Sequence, residues 1–410
     1  MLLAILEGSP HSRAIATAIG GLNRANSPSR HAVWKRLRTN GAPAFFLAVF
    51  REVLDTQCKR LAPVIKNLDR VAGSFTRVII EDGSILPLHP SLAETYPGSS
   101  NQHGTVASLR LRWATDLITG ETIDASLHLG KENDMSTAKT TLGLLRSGDL
   151  VLRDMGYFCL NTLRQIADVG ATYITRIPAG TTIRFLDDSD TGLQSRLQRT
   201  ESDSVSWEVE LGLASPLQGR LVAVRIPKAR ADRQKRKLRQ AYKAEGRQPK
   251  RAELDMCNWA TVFTNAQETD LDDAAVSELY RARWMIETYF KGLKSCQRLT
   301  TWSKHRTNAA AVECLALGHM IIGVLSLNLW RIMGTMVEGD SHSAEPELDQ
   351  ENRPIVGLLM AMECLRTYLH DDFRGLLRGG SRAAELRRLA ASATQEKRKR
   401  RSLEQIITSL

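Results

Sequence analysis

The sequence predicts an α/β protein built around a mixed sheet, with helical regions before and after it. Two patterns support this: three apolar strands follow one another between residues 75 and 129, and helices then alternate with strands up to residue 178. Consecutive strands tend to pair antiparallel and strands joined by a helix tend to pair parallel, so one sheet should contain both. The 410 residues are 42% hydrophobic and 25% charged, which excludes disordered and collagen-like chains.

Residues 1–70 are predicted to be helical and to bind DNA. The predicted helices cover residues 12–22, 30–38 and 44–53. The second helix follows a serine, a favourable N-cap, and is rich in bases, as in a helix-turn-helix module that places one helix in a DNA groove. Arg30, Lys35 and Arg36 are therefore candidate DNA contacts. The alternative is a short helical hairpin that binds nothing.

The elements of the sheet are assigned from apolar runs and alternating patterns that end at turn residues. The expected strands cover residues 77–80, 106–117, 122–129, 150–152 and 172–175, with helices at 136–145 and 160–168. After residue 178 the strands become short, at 182–186, 205–211 and 221–226, which indicates a second β unit. A basic helix from residue 228 to about 244, a strand at 259–263 and a long helix at 272–293 follow.

Cysteine usage and the chain's start favour a cytoplasmic protein. The six cysteines lie far apart without a C-x-x-C pair, which argues against a zinc ribbon or a disulfide framework. No basic residue precedes the first apolar stretch, so no signal peptide is expected. The stretch from Ala309 to Trp330 contains Glu313, His319 and Asn328, and therefore predicts a buried helix rather than a lipid-facing span.

Positive charge is confined to three segments. The chain has 56 Lys and Arg against 45 Asp and Glu, a net charge of +11. Residues 1–70 contribute +7, residues 228–251 contribute +9 and residues 397–401 contribute +5, so the remainder is net acidic at −10. Basic segments attract polyanions, and neutralised phosphates supply sequence-independent affinity for DNA. Residues 228–251 are therefore expected to contact a DNA backbone.

Five polar side chains follow one another three or four residues apart in the predicted helix 272–293. They are Tyr280, Arg283, Glu287, Lys291 and Lys294. On one continuous helix this spacing places all five on one stripe, about a quarter turn from the apolar face. One tyrosine, one acid and three bases would then face the same direction at the edge of the core. The alternative is a solvated face with an Arg283–Glu287 ion pair.

Two further acids lie where apolar strands are predicted to end. Asp82 precedes Gly83, and Asp154 follows the strand at 150–152. Residues at strand ends are rigidly placed and accessible, so both acids could join Glu287 in a metal site. Carboxylate oxygens suit Mg²⁺ or Mn²⁺, and two such ions can hold the attacking and leaving oxygens of a phosphoryl displacement. The alternatives are a turn at Asp82 and a helix cap at Asp154.

The motif Tyr280-x2-Arg283-x3-Glu287-x6-Lys294 resembles the YREK signature of bacterial insertion-sequence DDE transposases, in the family founded by insertion sequence four. Residues 80–84 and 154–158 are similar to the first- and second-acid regions of that family. The resemblance covers about residues 75–305 and extends more weakly to the N-terminal helices.

The resemblance implies an RNase H-like core, a mixed five-stranded sheet with flanking helices, and a β-rich insertion before the last catalytic helix. It also implies that Asp82, Asp154 and Glu287 are the catalytic acids and bind two Mg²⁺ or Mn²⁺ ions. The expected domains are a helical DNA-binding domain at 1–70, the catalytic core at 71–178 and 259–335, the insertion with its basic helix at 179–258, an acidic linker at 336–352 and a helical C-terminal region at 353–410.

The same resemblance assigns DNA contacts. Tyr280, Arg283 and Lys294 would hold phosphates at the element's ends, with help from Lys291. Family members of this kind cleave through a DNA hairpin, in which an extruded base stacks on an aromatic side chain of the insertion. Trp259 is the candidate for that role, with Trp207 as a weaker one. The alternation of its strand could instead place Trp259 in the core.

The sequence therefore predicts a cut-and-paste DNA transposase. Its expected partners are double-stranded DNA, namely the element's terminal inverted repeats and the target, and a second copy of the chain on that DNA. The sequence contains no Gly-rich phosphate loop, so no nucleotide cofactor is expected, and neither is a membrane. The alternatives are a nuclease that cuts without joining and a DNA-binding regulator derived from a transposase.

Overall fold

A computed structural model of the chain shows two compact units. Unit 1 contains the described residues of segments 1–66, 80–137 and 284–408, and unit 2 contains those of segments 67–79 and 138–283. The predicted helix 12–22 and the basic run 397–401 lie outside the described residues. The structure describes residues 30–57, 74–101, 104–133, 139–178, 180–187, 192–296, 299–340, 358–359 and 361–364.

The strands of the described residues largely coincide with the predicted ones, with β2 as an addition. They are β1 (Arg77–Pro87), β2 (Pro97–Asn101), β3 (Gly104–Asp116), β4 (Thr122–Leu129), β5 (Asp149–Arg153), β6 (Thr172–Thr175), β7 (Ile183–Phe185), β8 (Ser204–Leu211), β9 (Leu217–Arg225) and β10 (Trp259–Thr264). The bounds of β4 and β6 are those predicted. Apolar alternation and turn residues therefore locate these strands well.

The helices of the described residues include the second and third predicted N-terminal helices and the basic helix. They are α1 (Arg30–Leu37), α2 (Ala42–Asp55), α3 (Lys139–Leu142), α4 (Leu160–Asp168), α5 (Leu193–Arg199), α6 (Lys228–Ala244), α7 (Arg251–Met256), α8 (Asp273–Ala282), α9 (Trp284–Ser295), α10 (Leu299–Ser303) and α11 (Ala309–Asp340). Pro90–Leu92 and Met155–Tyr157 form short 3₁₀ turns. The predicted acidic linker overlaps the end of α11, and the rest of it lies outside the described residues.

Unit 2 contains a mixed sheet with the strand order β5-β6-β10-β9-β8-β7. β5 and β6 run parallel, with Arg153 opposite Thr175, and α4 connects them. β10 is antiparallel to both β6 and β9, and β8 is antiparallel to β9 and β7. The short strands after residue 178 therefore join the parallel pair through β10. These pairings confirm the predicted α/β class with a mixed sheet.

Unit 1 is built on β3, which pairs antiparallel with β2 near its start and with β4 from Leu109 to Thr115. β1 lies beside β3. Its residues Ile80 and Leu86 are buried, as is Trp113 of β3. Both strands therefore contribute apolar side chains to the core.

Helix α11 is the one helix among the described residues that could cross a membrane by length and composition alone. Within its stretch Ala309–Met333, 83% of the most apolar window is buried inside the protein. Two of the three polar residues that interrupt the stretch have partners. Tyr96 donates to Glu313, Trp302 donates to His319 Nε2, and His319 Nδ1 lies 2.8 Å from the Leu315 carbonyl. This placement agrees with the predicted buried helix.

Two predictions about elements that carry candidate site residues are wrong. Asp82 does not end its strand, because β1 continues through Gly83 to Pro87 and buries Leu86. The turn proposed as its alternative is therefore also absent. The single long helix is divided at Arg283, whose N–H donates to the Tyr280 carbonyl three residues back at 3.3 Å. This bond tightens the turn, so the five polar side chains belong to two helices rather than to one stripe.

Candidate active site

Unit 1 contains a cavity of about 460 Å³ between β1 and α9, here called the Asp82 cavity. The side chains of two predicted acids, Asp82 and Glu287, line it, together with both predicted lysines. These lysines are Lys291 and Lys294, and the remaining lining residues are Gly83, Ser84, Phe290 and Ser295. Residues far apart in the sequence therefore meet at one concave surface with two acids and two bases, a combination that suits a metal-assisted reaction on an anion.

The helical repeat of α9 explains why its polar residues share the cavity. Glu287, Lys291 and Lys294 are separated by four and three residues and lie on one face. Ile286, Tyr289 and Leu293 lie on other faces of the helix and are buried. This part of the predicted stripe is confirmed as a common surface.

Lys294 lies in an electrostatic environment that differs from that of a surface lysine. Its side chain is partly buried, and burial lowers the pKa of Lys294. The negative charge of Asp82 acts in the opposite direction and favours the protonated amine. Lys294 therefore keeps its positive charge partly because of Asp82, which couples the two residues.

A buried ion network holds the strand that carries Asp82. Arg112 of β3 donates to Glu81 at 2.8 Å and to Asp124 of β4 at 2.6 Å. The side chains of Arg112 and Glu81 are both fully buried. Removing one partner of a buried pair leaves an uncompensated charge, which is strongly unfavourable. Because Glu81 and Asp82 are neighbours on a strand, their side chains point to opposite faces, so the network anchors β1 from behind the cavity.

Close packing behind α9 holds the helix that carries Glu287. A Cβ at Gly323 of α11 would overlap the hydroxyl of Tyr289, and a Cβ at Gly292 would overlap the sulfur of Met362. The ring of Tyr289 lies 4.8 Å from that of Trp113. Glycines at these two positions therefore allow α11, Leu359 and Met362 to approach α9 closely. The sequence contained no signal for either contact.

Unit 2 contains the third predicted acid in a different setting, here called the Asp154 cluster. Asp154 directly follows the buried strand β5 and occupies the N-cap position of the Met155–Tyr157 turn, but its side chain makes no capping hydrogen bond. Instead the Tyr280 hydroxyl donates to Asp154 Oδ1 at 3.3 Å, and Arg283 Nη2 lies 3.8 Å from the same oxygen. The predicted strand-end position is therefore confirmed, and the capping alternative is not supported.

Burial within this cluster differs between the partners. The Asp154 side chain is 41% exposed, whereas that of Arg283 is only 6% exposed. Burial raises the pKa of Tyr280, and the negative charge of Asp154 raises it further. Tyr280 therefore remains a protonated hydrogen-bond donor to Asp154 throughout the ordinary pH range.

The predicted DNA contacts of the N-terminal helices lie in unit 1. Arg30 is the first residue of α1, and the side chains of Lys35 and Arg36 in its last turn are exposed. The other side of this region packs on α11 and the residues before it, because Arg306 lies over the Trp34 ring at 4.6 Å and Cys314 contacts the Leu37 carbonyl. Lys35 and Arg36 are thus accessible, and their DNA contacts remain predictions.

The tryptophans of the predicted insertion are packed rather than exposed. Trp259 is 6% exposed in a cluster with Leu197 and Ala223, and the Arg225 guanidinium lies 4.3 Å from its ring centre. Trp207 packs against the same cluster. This placement favours the core alternative for Trp259. Trp284, which the sequence interpretation did not select, begins α9 and is 56% exposed.

The donor chemistry of the Asp82 cavity fits a hard divalent cation, because two carboxylates supply oxygen ligands. Among the residues that the structure describes, no three His, Cys, Asp or Glu side chains form a group that could hold a metal ion. Asp82 and Glu287 belong to unit 1, and Asp154 belongs to unit 2.

A family model described as the transposase DDE domain matches residues 73–322. The chain belongs to this family. The match contains β1, α9 and the Asp154 cluster, so each of the three predicted acids of this transposase family member lies within it.

Curated relatives of this family member are insertion-sequence transposases. The transposase for element IS231B from Bacillus thuringiensis subsp. berliner is 26% identical over 269 residues, which cover 60% of this chain and 55% of that protein. The transposase for IS231F from subsp. israelensis is 26% identical over 245 residues, or 55% and 51% of the two chains. That for IS1151 from Clostridium perfringens is 22% identical over 301 residues, or 69% and 62%. The chain thus spans about half to three fifths of these relatives.

Proposed function

We propose that the protein is a DNA transposase of an insertion sequence, which cleaves DNA at the element's ends and joins those ends to a target. The observation that carries this proposal is the Asp82 cavity in a chain of the transposase DDE family. Acids from β1 and α9 face two lysines there, and this combination serves a reaction at a phosphodiester. The relatives, named as insertion-sequence transposases, support the same role.

The proposed catalytic acids are Asp82, Asp154 and Glu287, which would bind two Mg²⁺ or Mn²⁺ ions. When bound, these ions would neutralise charge in the phosphoryl transfer and supply a nucleophile at neutral pH. Support comes from the chemistry of the donors and from the exposure of Asp154, whose carboxylate is 41% accessible although its strand is buried. A rigid strand with an accessible acid at its end suits a ligand that must be precisely placed.

Other polar residues are proposed to hold the acids and the DNA. Lys291 and Lys294 would neutralise a phosphate in the Asp82 cavity, as lysine does by its point charge. Tyr280 would orient the Asp154 carboxylate through its hydrogen bond, and Arg283 would limit its movement. Partners that orient a metal ligand commonly affect activity almost as strongly as the ligand itself. Tyr280 and Arg283 are also proposed to contact phosphates at the element's ends.

The remaining expectations about architecture are part of the proposal. They comprise an RNase H-like core, a β-rich insertion from residue 179 to 258, DNA binding by residues 1–70 and a homodimer on DNA in the cytoplasm, associated with the nucleoid. The pairing of β5 with β6 and the exposed bases of α6 agree with these expectations.

A hairpin route requires an aromatic side chain that an extruded base can reach. Trp284 is exposed and adjoins Arg283, whereas Trp259 is buried. We therefore assign the stacking role to Trp284 instead of Trp259. Trp284→Ala should allow the first nick at an element end but reduce hairpin products on a denaturing gel. Normal hairpin yield in this variant would contradict the assignment.

The decisive experiment combines purified full chain with DNA duplexes that carry the element's own ends, in Mg²⁺ or Mn²⁺. The wild type should cleave at the ends and yield strand-transfer products, whereas Asp82→Ala, Asp154→Ala and Glu287→Ala should bind the DNA without cleaving it. Duplexes with scrambled ends control for specificity. Wild-type cleavage activity in all three variants would refute the assignment of the acids.

The same reaction separates the two alternative functions. A nuclease would nick or cut the duplex and yield no joined products at any protein concentration. A DNA-binding regulator would shift the duplex in a gel and leave it intact with either metal. Either result with the wild-type chain would overturn the transposase proposal.

A further inference from the structure

Unit 2 contains a group of arginines beside the Asp154 cluster to which the proposed function assigns no position on the DNA. Arg176 follows β6, and Asp154 follows the parallel neighbour β5, in which Arg153 lies opposite Thr175. Both residues therefore leave the sheet at the same edge. Arg281 is the neighbour of Tyr280 near the end of α8, while Arg230 and Arg233 lie in the first turns of α6.

These arginines lie close enough to affect one another. The Arg230 side chain is partly covered by neighbouring residues although it stays exposed overall. This partial burial lowers the pKa of Arg230, and the like charges of Arg281 and Arg176 lower it further, with a smaller contribution from Arg233. Arg281 directly follows Tyr280, whose hydroxyl donates to Asp154, and Arg176 leaves the sheet at the same edge as Asp154. Like charges repel, so this arrangement is unfavourable for the protein without a counter-charge.

The arginines are available to a ligand. All four side chains are exposed, and none of them forms an ion pair with a carboxylate in the part of the chain that the structure describes. Ala231 packs helix α6 against unit 2. Among the described residues of this helix, it is the one whose side chain is buried. The neighbours Arg230 and Arg233 are therefore held at its surface while the helix itself is anchored.

We infer that Arg176, Arg230, Arg233 and Arg281, here called the arginine cluster, bind the sugar-phosphate backbone of a DNA strand next to Asp154. Guanidinium groups grip phosphates with two parallel hydrogen bonds, and successive phosphates supply the regular negative charge that a group of four arginines matches. The arginine cluster extends from the Asp154 cluster to the basic helix α6. This helix has eight bases and one acid. This inference rests on the proposed function, because the DNA strand that the arginine cluster binds is taken to be the strand that the protein cleaves.

The test compares two double variants of the full chain with the same change in net charge. Arg230→Gln with Arg281→Gln removes two charges from the arginine cluster. The matched control is Arg146→Gln with Arg199→Gln, since both arginines are exposed in unit 2. Arg146 precedes β5, at the end of that strand opposite to Asp154.

The measurement is the affinity for a DNA duplex bearing the element's ends at several salt concentrations, without divalent metal. Each lost phosphate contact reduces the slope of log affinity against log salt by about 0.9. In the variant with Arg230→Gln and Arg281→Gln, the magnitude of the slope should fall by about twice this amount. The control variant should keep the wild-type slope. Equal slopes in the two double variants would overturn the inference.

A second readout excludes a merely structural effect. Because like charges are removed, the cluster variant without DNA should unfold at the wild-type temperature or above it, although it binds DNA more weakly. A lower unfolding temperature together with weaker binding would overturn the inference. Neither readout needs cleavage, so a wild type that binds DNA but never cleaves it would refute the proposed function while leaving the arginine cluster supported.

Discussion

The Asp82 cavity and the Asp154 cluster present their acids in opposite ways. In unit 1, Asp82 and Glu287 line an open cavity of about 460 Å³ with two lysines, and the elements behind them are tightly packed. In unit 2, Asp154 is held by Tyr280 of α8 and by the buried Arg283, which directly follows that helix. The first arrangement leaves room for substrate and metal, whereas the second orients one carboxylate. The residues of the YREK-like motif are therefore divided between two environments. Tyr280 and Arg283 contact Asp154 in unit 2, whereas Glu287 and Lys294 line the cavity in unit 1.

Replacing acids of the cavity should have the largest effect. Asp82→Asn and Glu287→Gln each remove a charge but keep the side-chain volume, so end cleavage should fall by more than about 100-fold, beyond the range typical for residues that only orient a ligand. The measurement is the initial cleavage rate in Mg²⁺. Glu94→Gln, an exposed acid of unit 1, is the control and should cleave at the wild-type rate.

Loss of the orienting hydrogen bond in unit 2 should have a smaller effect. Tyr280→Phe keeps the ring but removes the donor to Asp154, and a loss of about 10- to 100-fold in cleavage is expected. Tyr242→Phe is the control, because it removes a tyrosine–carboxylate bond to Glu253 elsewhere in unit 2. If both variants cleave at the same rate, Tyr280 does not orient a catalytic acid.

The packing behind α9 should matter for stability. Gly292→Ala places a methyl group against Met362, and overpacking of this kind costs about 1–3 kcal/mol despite the better helix propensity of alanine. Chemical denaturation measures the change, and Met362→Ala in the same chain should restore part of it. Gly41→Ala, where no atom lies within 4 Å of the new methyl group, is the control. An unchanged denaturation midpoint in Gly292→Ala would show that Met362 does not pack closely against α9.

The smallest expected effect is a change in pH dependence. Burial lowers the pKa of Lys294, and a lysine is charged only below its pKa, so its positive charge is lost at a lower pH than for an ordinary lysine. Cleavage by the wild type should therefore decline on the alkaline side. Lys294→Arg should extend activity to higher pH, because arginine stays protonated. Lys131→Arg, outside the cavity, is the control, and an identical alkaline decline in Lys294→Arg would exclude Lys294 as its source.

Much of the fold and part of the site could be predicted from local pattern. Helix α4 and strand β6 have the predicted bounds, because apolar periodicity and turn residues reflect which face of an element is buried. The same periodicity correctly grouped Glu287, Lys291 and Lys294 on one face. It failed at Arg283, where the helix divides although the sequence contains neither Pro nor Gly at that point.

The sequence by itself determined the α/β class, the order of the elements, the candidate acids and the family. Only the tertiary structure decided that β1 continues past Asp82, that Trp259 is buried, and that arginines from residues 176 to 281 lie together beside Asp154. The reason is physical: periodicity records whether each residue faces the core or solvent. Which distant residues then meet depends on strand pairing and on close packing between elements, to which residues far apart in the chain contribute.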